Sequence, residues 1–276
     1  MSSIPYEYKR KRLRKFQAQT TCFQSVSLLM PQGFKFRNML CLPSMKPETG
    51  CVGQALRQNI IDTNTKILGI ENELSCPHIK QKLNRMGFDK QSYDMINQST
   101  EDITEQTLDK YMNKLKIDTF EFVYLDLCGQ YTKGEESFIR KLQPRLSHNT
   151  FFMINFNGSY RTEHEIDIYH KFLCSASSYN RFDKYYGKVT PRVASKAGAI
   201  MTRISKILDI EPAWFIRYKD PDKNKAKPCP MGISCFSNRM NPINRKMIMD
   251  KVDQVQNAGY VGVDCESTAK NSKVFA

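Results

Sequence analysis

Six of the seven residues from Lys9 to Lys15 are basic: Lys9, Arg10, Lys11, Arg12, Arg14 and Lys15. Glu7, just before the run, is the only acid nearby to offset them, so these side chains repel one another until a polyanion such as a phosphate backbone neutralises them. Further basic residues recur over 181–196 and 219–227, interleaved with Tyr185, Tyr186 and Tyr218. Basic stretches broken by aromatics suit a nucleic-acid backbone with stackable bases. A nuclear localisation signal or a solvated face is the competing reading of the first run. Other chemistries are excluded more firmly. The chain has no Gly-x-x-x-x-Gly-Lys-Ser/Thr phosphate loop, which argues against a P-loop nucleotidase. Cys229 and Cys235 do not combine with His78, His148, His164 or His170 in any paired ligand spacing. His164 and His170 are six apart, not the three or four that places side chains on one helix face, so no metal site is expected.

Composition sets the surroundings for this basic surface. The 42 Lys and Arg against 28 Asp and Glu leave a net charge of +14, an excess that attracts phosphate backbones or anionic lipid without reading sequence. Apolar residues at 40%, with 16 Phe and 13 Tyr, supply enough surface for a substantial core. Nine cysteines are scattered, and Cys41, Cys128, Cys174 and Cys235 sit inside apolar runs where free thiols pack as small hydrophobes. That usage points to a reducing intracellular compartment, the cytoplasm, the nucleus or a virus-infected cell. No stretch has the length of a membrane span, and the N-terminal residues lack a signal's apolar region.

The elements that position these residues follow from periodicity. Residues 1–35 read as a basic arm, helical from about Tyr6 to Gln19, residues 36–266 as one α/β domain, and 267–276 as a loose polar tail. Short apolar runs over 39–42, 66–70, 92–97, 120–125, 150–156, 214–218 and 232–236 read as seven strands. Helices are expected over 51–61, 77–86, 101–115, 135–146 and 193–208. This alternation predicts a doubly wound, mainly parallel Rossmann-like sheet, with its last two strands an antiparallel edge pair.

The layout from Phe36 to Phe236 resembles the class I S-adenosylmethionine-dependent methyltransferase family in order and punctuation. The resemblance implies that the loop Pro43-Ser44 through Glu48, Gly50 and Gly53 passes under the cofactor's methionine part. It implies that Glu71 holds the ribose hydroxyls and that the Gln98-Ser99-Thr100 turn approaches the adenine. Asp126 to Gly129 would then form the reaction edge, with Asp126 at its head. Glu71 lies 21 residues after Gly50 and 18 after Gly53, near the separation of about 20 expected of a ribose-holding acid. The first loop departs from the family, since Pro43 and Pro47 replace most of the close-set glycines and Glu48 stands in for the acid.

Three chemistries remain open at the reaction edge. Leu127-Cys128-Gly129 replaces the Pro-Pro-aromatic segment of amino-group methylases, with Tyr131 following. Cys128 could add to a pyrimidine ring as a thiolate or be a buried structural cysteine. Asp126 could instead be the acid of a Lys-Asp-Lys-Glu ribose methylase, with Lys46 or Lys171 as a basic member. The expected function is a methyltransferase-like protein acting on nucleic acid, RNA ahead of DNA. The alternative is a catalytically inactive binding or structural subunit of a viral or ribonucleoprotein assembly.

Overall fold

Five apolar runs fold as parallel strands because each is buried on both faces, the condition under which parallel strands read as continuous hydrophobic stretches. The computed structural model describes residues 9–71, 75–127, 131–157, 194–210, 212–219, 230–238 and 263–264. The strands are β1 (Asn38–Cys41), β2 (Lys66–Ile70), β3 (Tyr93–Ile96), β4 (Phe120–Asp126), β5 (Leu146–Asn157), β6 (Pro212–Lys219) and β7 (Pro230–Phe236). An eighth, two-residue strand, β8 (Val263–Asp264), extends the expected seven. They form one sheet in the order β3-β2-β1-β4-β5-β7-β6-β8. Strands β1 to β5 are mutually parallel. β7 runs antiparallel to both β5 and β6, and β6 antiparallel to β8.

The helices are α1 (Lys9–Leu29), α2 (Cys51–Arg57), α3 (Cys76–Arg85), α4 (Glu105–Leu115), α5 (Lys133–Leu142) and α6 (Ala194–Leu208). Alternate strand residues enter two cores, one on each face of the sheet. On one side Met39, Cys41, Ile67, Phe122 and Tyr124 pack with residues of α1, α2 and α3. On the other, Leu40, Leu68, Val123 and Leu125 pack with residues of α4, α5 and α6. Phe120 joins the Val123 side despite its parity, because the β4–β5 register shifts between Phe120 and Phe122.

Caps fix several boundaries that periodicity placed differently. Thr104 accepts from the Thr107 N–H, so α4 starts at Glu105 rather than Glu101. Thr132 and Glu135 form a capping box that starts α5 at Lys133. Pro144 then turns the chain through a short 3-10 segment, Gln143–Arg145, and β5 begins at Leu146, four residues earlier than expected. Inside the second core, Glu136 of α5 is nearly buried between Arg140 and Arg203, whose Nη2 atoms each lie 2.9 Å from its Oε1. Burial alone would raise the Glu136 carboxyl, but the Arg203 and Arg140 hydrogen bonds more than offset it and hold the group below its ordinary range. The ion pairs stitch α6 to α5.

The largest correction concerns α1. The expected helix ending at Gln19 continues to Leu29, and Ala18, Cys22, Phe23 and Val26 are fully buried. The core therefore begins at Ala18 and not near Phe36. Phe23 sits 5.5 Å from the Phe122 ring and 5.4 Å from Tyr124, and Phe36 stacks on Phe122 at 5.2 Å. The Gln19 amide donates to the Tyr124 hydroxyl at 2.7 Å. Gln19→Leu is expected to lower unfolding free energy by about 1 kcal/mol, the scale of one such bond, as read by urea denaturation. An unchanged midpoint would show that the bond contributes nothing.

Candidate functional site at the carboxyl ends of the strands

The order of the sheet reverses at β1: the chain adds β2 and β3 on one side and then β4 and β5 on the other. Ligands of open α/β sheets lie outside the carboxyl ends at such a switch point. Two backbone hydrogen bonds carry the pairing one residue past the strand ends, Leu42 N–H to Tyr124 O at 3.1 Å and Glu71 N–H to Ile96 O at 3.1 Å. Pro43, Glu71, Asn97 and Asp126 thereby emerge at one edge of the sheet. Glu71 and Asp126 leave strands two places apart, about 10 Å at ordinary strand spacing. That span suits an elongated ligand lying across β1.

The loop after β1 closes on itself. Ser44 Oγ donates to the Lys46 carbonyl at 2.9 Å, and the Thr49 and Gly50 N–H groups converge on the same oxygen at 3.0 and 2.9 Å. The Gly53 N–H donates to Pro47 O at 2.8 Å. A Cβ at Gly53 would lie 2.0 Å from the Glu48 carbonyl oxygen, and one at Gly50 would lie 2.5 Å from Ser44 Oγ. Both glycines serve the loop's own packing, whereas the resemblance had assigned them to close approach of a cofactor. Lys82 of α3 donates to the Met45 carbonyl at 2.8 Å and approaches Glu48 Oε1 at 3.7 Å. Glu48 Oε2 is shielded from solvent and has no hydrogen-bond partner. An acceptor in that condition can take a ligand's ammonium or hydroxyl. Pro43 is buried and Ser44 exposed.

Glu71 is half-buried at the end of β2, and its carbonyl lies 3.8 Å from the Cys76 thiol at the start of α3. Burial and the Glu71 charge both push that thiol up. In the turn after β3, the Ser99 hydroxyl donates to Asp102 Oδ2 at 2.8 Å, so Ser99 supports its own turn while Asn97 and Gln98 stand exposed.

Asp126 is the most elaborated of the expected residues. Its Oδ1 accepts from Asn155 Nδ2 at 2.7 Å and its Oδ2 lies 2.6 Å from Lys15 Nζ. Asn155 is its register partner on β5 and is fully buried. Lys15 comes from α1, which descends the sheet antiparallel to β4: Lys15 meets Asp126, Gln19 meets Tyr124, and Phe23 meets Phe122. The cation at Asp126 is therefore Lys15, not Lys46, which stands exposed on the loop. Lys171 and Cys128 lie outside the described residues. Tyr131 cannot present its ring to an acceptor, since it is fully buried beside α5 and burial, with the Glu136 charge, pushes its phenol far up.

Beside Lys15, Phe16 is an exposed apolar side chain, and the Arg57 guanidinium lies 5.6 Å from its ring centroid. An exposed aromatic with a stacked arginine is a surface on which a base can stack. The basic residues Lys9 to Arg14 occupy the first turns of α1. At 1.5 Å per residue, the backbone of Lys9 lies about 9 Å beyond Lys15 along the helix, past the carboxyl edge of the sheet. The other two basic segments fall mostly outside the described residues. Among the described residues no group of three or more His, Cys, Asp or Glu could hold a metal ion, and no helix is long and apolar enough to cross a membrane.

No protein-family model and no curated protein sequence matches the chain. Some solved structures are similar to it at low identity, each with a TM-score below 0.5. An O-methyltransferase family protein from Burkholderia thailandensis is 7% identical, with a TM-score of 0.45 over 82% of this chain and 56% of that one. The chain thus spans little more than half of the Burkholderia protein. An rRNA methylase from Streptococcus thermophilus is 10% identical, with a TM-score of 0.38 over 79% and 93%. The O-methyltransferase TomG from Streptomyces achromogenes, solved with S-adenosylmethionine, is 12% identical, with a TM-score of 0.46 over 83% and 87%. None of these lends the chain a substrate. On its own strand order the chain has a doubly wound, mainly parallel Rossmann-like fold with an antiparallel hairpin, the layout that the resemblance to class I methyltransferases implies.

Proposed function

We propose that the chain is an S-adenosylmethionine-dependent methyltransferase acting on nucleic acid, RNA ahead of DNA. The observation that carries this reading is the course of α1, which sets Lys15 on Asp126 and continues, as a basic helix, past the same edge of the sheet. Bound across β1, S-adenosylmethionine would supply an electrophilic methyl group. Glu71 would accept from its ribose hydroxyls and Glu48 Oε2 from its ammonium. Asp126 would accept a hydrogen bond from the acceptor's O–H or N–H and aim its lone pair, while Lys15 and Asn155 fix the carboxylate. Displacements of this kind depend on alignment and local electrostatics. RNA is favoured because each nucleotide offers a ribose hydroxyl that such a carboxylate can receive. Five described cysteines, Cys22, Cys41, Cys51, Cys76 and Cys235, are buried thiols, which supports a reducing compartment.

A specific observation favours a second reading, a binding subunit that has lost the cofactor. The loop glycines are filled by the loop's own atoms. Calorimetric titration with S-adenosylmethionine and with its demethylated product separates the two. Saturable heats, followed by transfer of labelled methyl to RNA, are expected for the enzyme. RNA binding without cofactor heats would establish the binding subunit. In the enzyme, Glu71→Ala should weaken cofactor binding by about 1 to 3 kcal/mol, the scale for hydrogen bonds to a charged group. Unchanged affinity in a folded variant would remove the ribose assignment.

A further inference from the structure

At the opposite end of the sheet, a cleft of about 850 Å³ opens beside the edge strand β3. Five lysines line it, drawn from separate parts of the chain: Lys66 at the start of β2, Lys80 on α3, Lys90 in the loop before β3, and Lys114 and Lys116 at the end of α4. Two acids oppose them, Asp89 and Asp94. Asp94 is almost fully buried, and Lys80 and Lys114 each lie 2.5 Å from one of its oxygens. Burial would raise the Asp94 carboxyl, but Lys114, Lys80 and the Met95 N–H hold it below its ordinary range. The same pairing raises Lys114. Lys66 donates to the Lys116 carbonyl at 2.5 Å. One buried carboxylate therefore holds two of these ammonium groups in place, and the five lysines outnumber the two aspartates by three.

We infer that this cleft is a second phosphate-contacting surface, which holds a flanking part of a nucleic-acid strand away from the reaction edge. The inference rests on the nucleic-acid reading above. Glu71 and Lys66 bracket β2, so the two surfaces are separated by about 17 Å at 3.3 Å per residue. A single strand can lie over both. Lys80 and Lys114 are committed to Asp94 and Lys66 to a carbonyl, while Lys90 and Lys116 stand exposed on the rim. These two are the lysines to neutralise, because their loss does not strip the buried carboxylate of its cations.

The test compares the full chain with Lys90→Gln/Lys116→Gln in binding a single-stranded RNA oligonucleotide across a salt series. Lys110→Gln/Lys206→Gln, which removes the same charge away from the cleft lining, is the control. Each lost phosphate contact lowers the log-log salt slope by about 0.7, so the cleft variant should lose about 1.4 and the control almost none. Coincident slopes for the wild type and a folded cleft variant would overturn the cleft while leaving the nucleic-acid reading standing. Equal losses in variant and control would also overturn it, as a bulk charge effect. Failure of the wild type to bind RNA would remove the nucleic-acid reading itself. Tighter binding of polyglutamate than of RNA, lost in the cleft variant, would assign the cleft to an acidic peptide and overturn the proposal.

Discussion

Asp126→Asn is expected to lower methyl transfer by about 10²- to 10³-fold, the loss typical of removing one preorganised electrostatic group from a reacting centre. The substitution keeps the volume and leaves an oxygen for Asn155 Nδ2, now 2.7 Å away. What it removes is the negative charge opposite Lys15 Nζ. Circular dichroism and the unfolding midpoint should therefore change little. Single-turnover transfer to RNA at saturating cofactor should fall, while cofactor affinity, set at Glu71 and Glu48, should hold. Lys15→Gln removes the other half of the pair and should also slow transfer. The double variant should then be no slower than the worse single one, because groups that act as a unit are not additive. Transfer by Asp126→Asn within threefold of wild type would place the reaction edge elsewhere.

The parts that were legible in the sequence are those fixed by local pattern. Parallel strands buried on both faces leave continuous apolar runs, so β2 was readable over its full length and β4 to within one residue. Glu71 and Asp126 were readable as residues at the carboxyl edge of the sheet because each follows or closes such a run. The second half of α1 was not readable. Gln19, Thr21 and Ser25 are polar yet buried, and they enter the core because Gln19 bonds Tyr124 and Ser25 bonds the Thr21 carbonyl. Polar residues satisfied in this way erase the contrast between helix faces on which amphipathic reading depends. Asn155 did leave a signal, as the one amide inside the apolar stretch Phe152 to Phe156. The pairing of Lys15 with Asp126 left none, since the two lie 111 residues apart and only the packing of α1 on the sheet joins them.

The packing of α1 also decides how its basic run must be tested. Truncation through residue 17 would remove Lys15 and cut the helix just before its buried segment from Ala18, so lost binding could not be told from a disturbed fold. Replacing Lys9, Arg10, Lys11, Arg12 and Arg14 by Gln, with Lys15 kept, removes five charges and leaves residues of good helix propensity. If all five contact phosphate, the log-log salt slope should fall by about 3.5 for a single strand, or about 4.5 for duplex DNA. Over a fourfold change in salt, the single-strand figure amounts to about two orders of magnitude in affinity. The helix direction makes a further demand. Because the run lies beyond the edge that carries Asp126, its loss should raise the KM for RNA far more than it lowers the rate at saturating RNA. Slopes that coincide between the two proteins would show that the run is a solvated face or an address signal. A fallen slope with an unchanged KM would show that it binds nucleic acid without delivering it to Asp126.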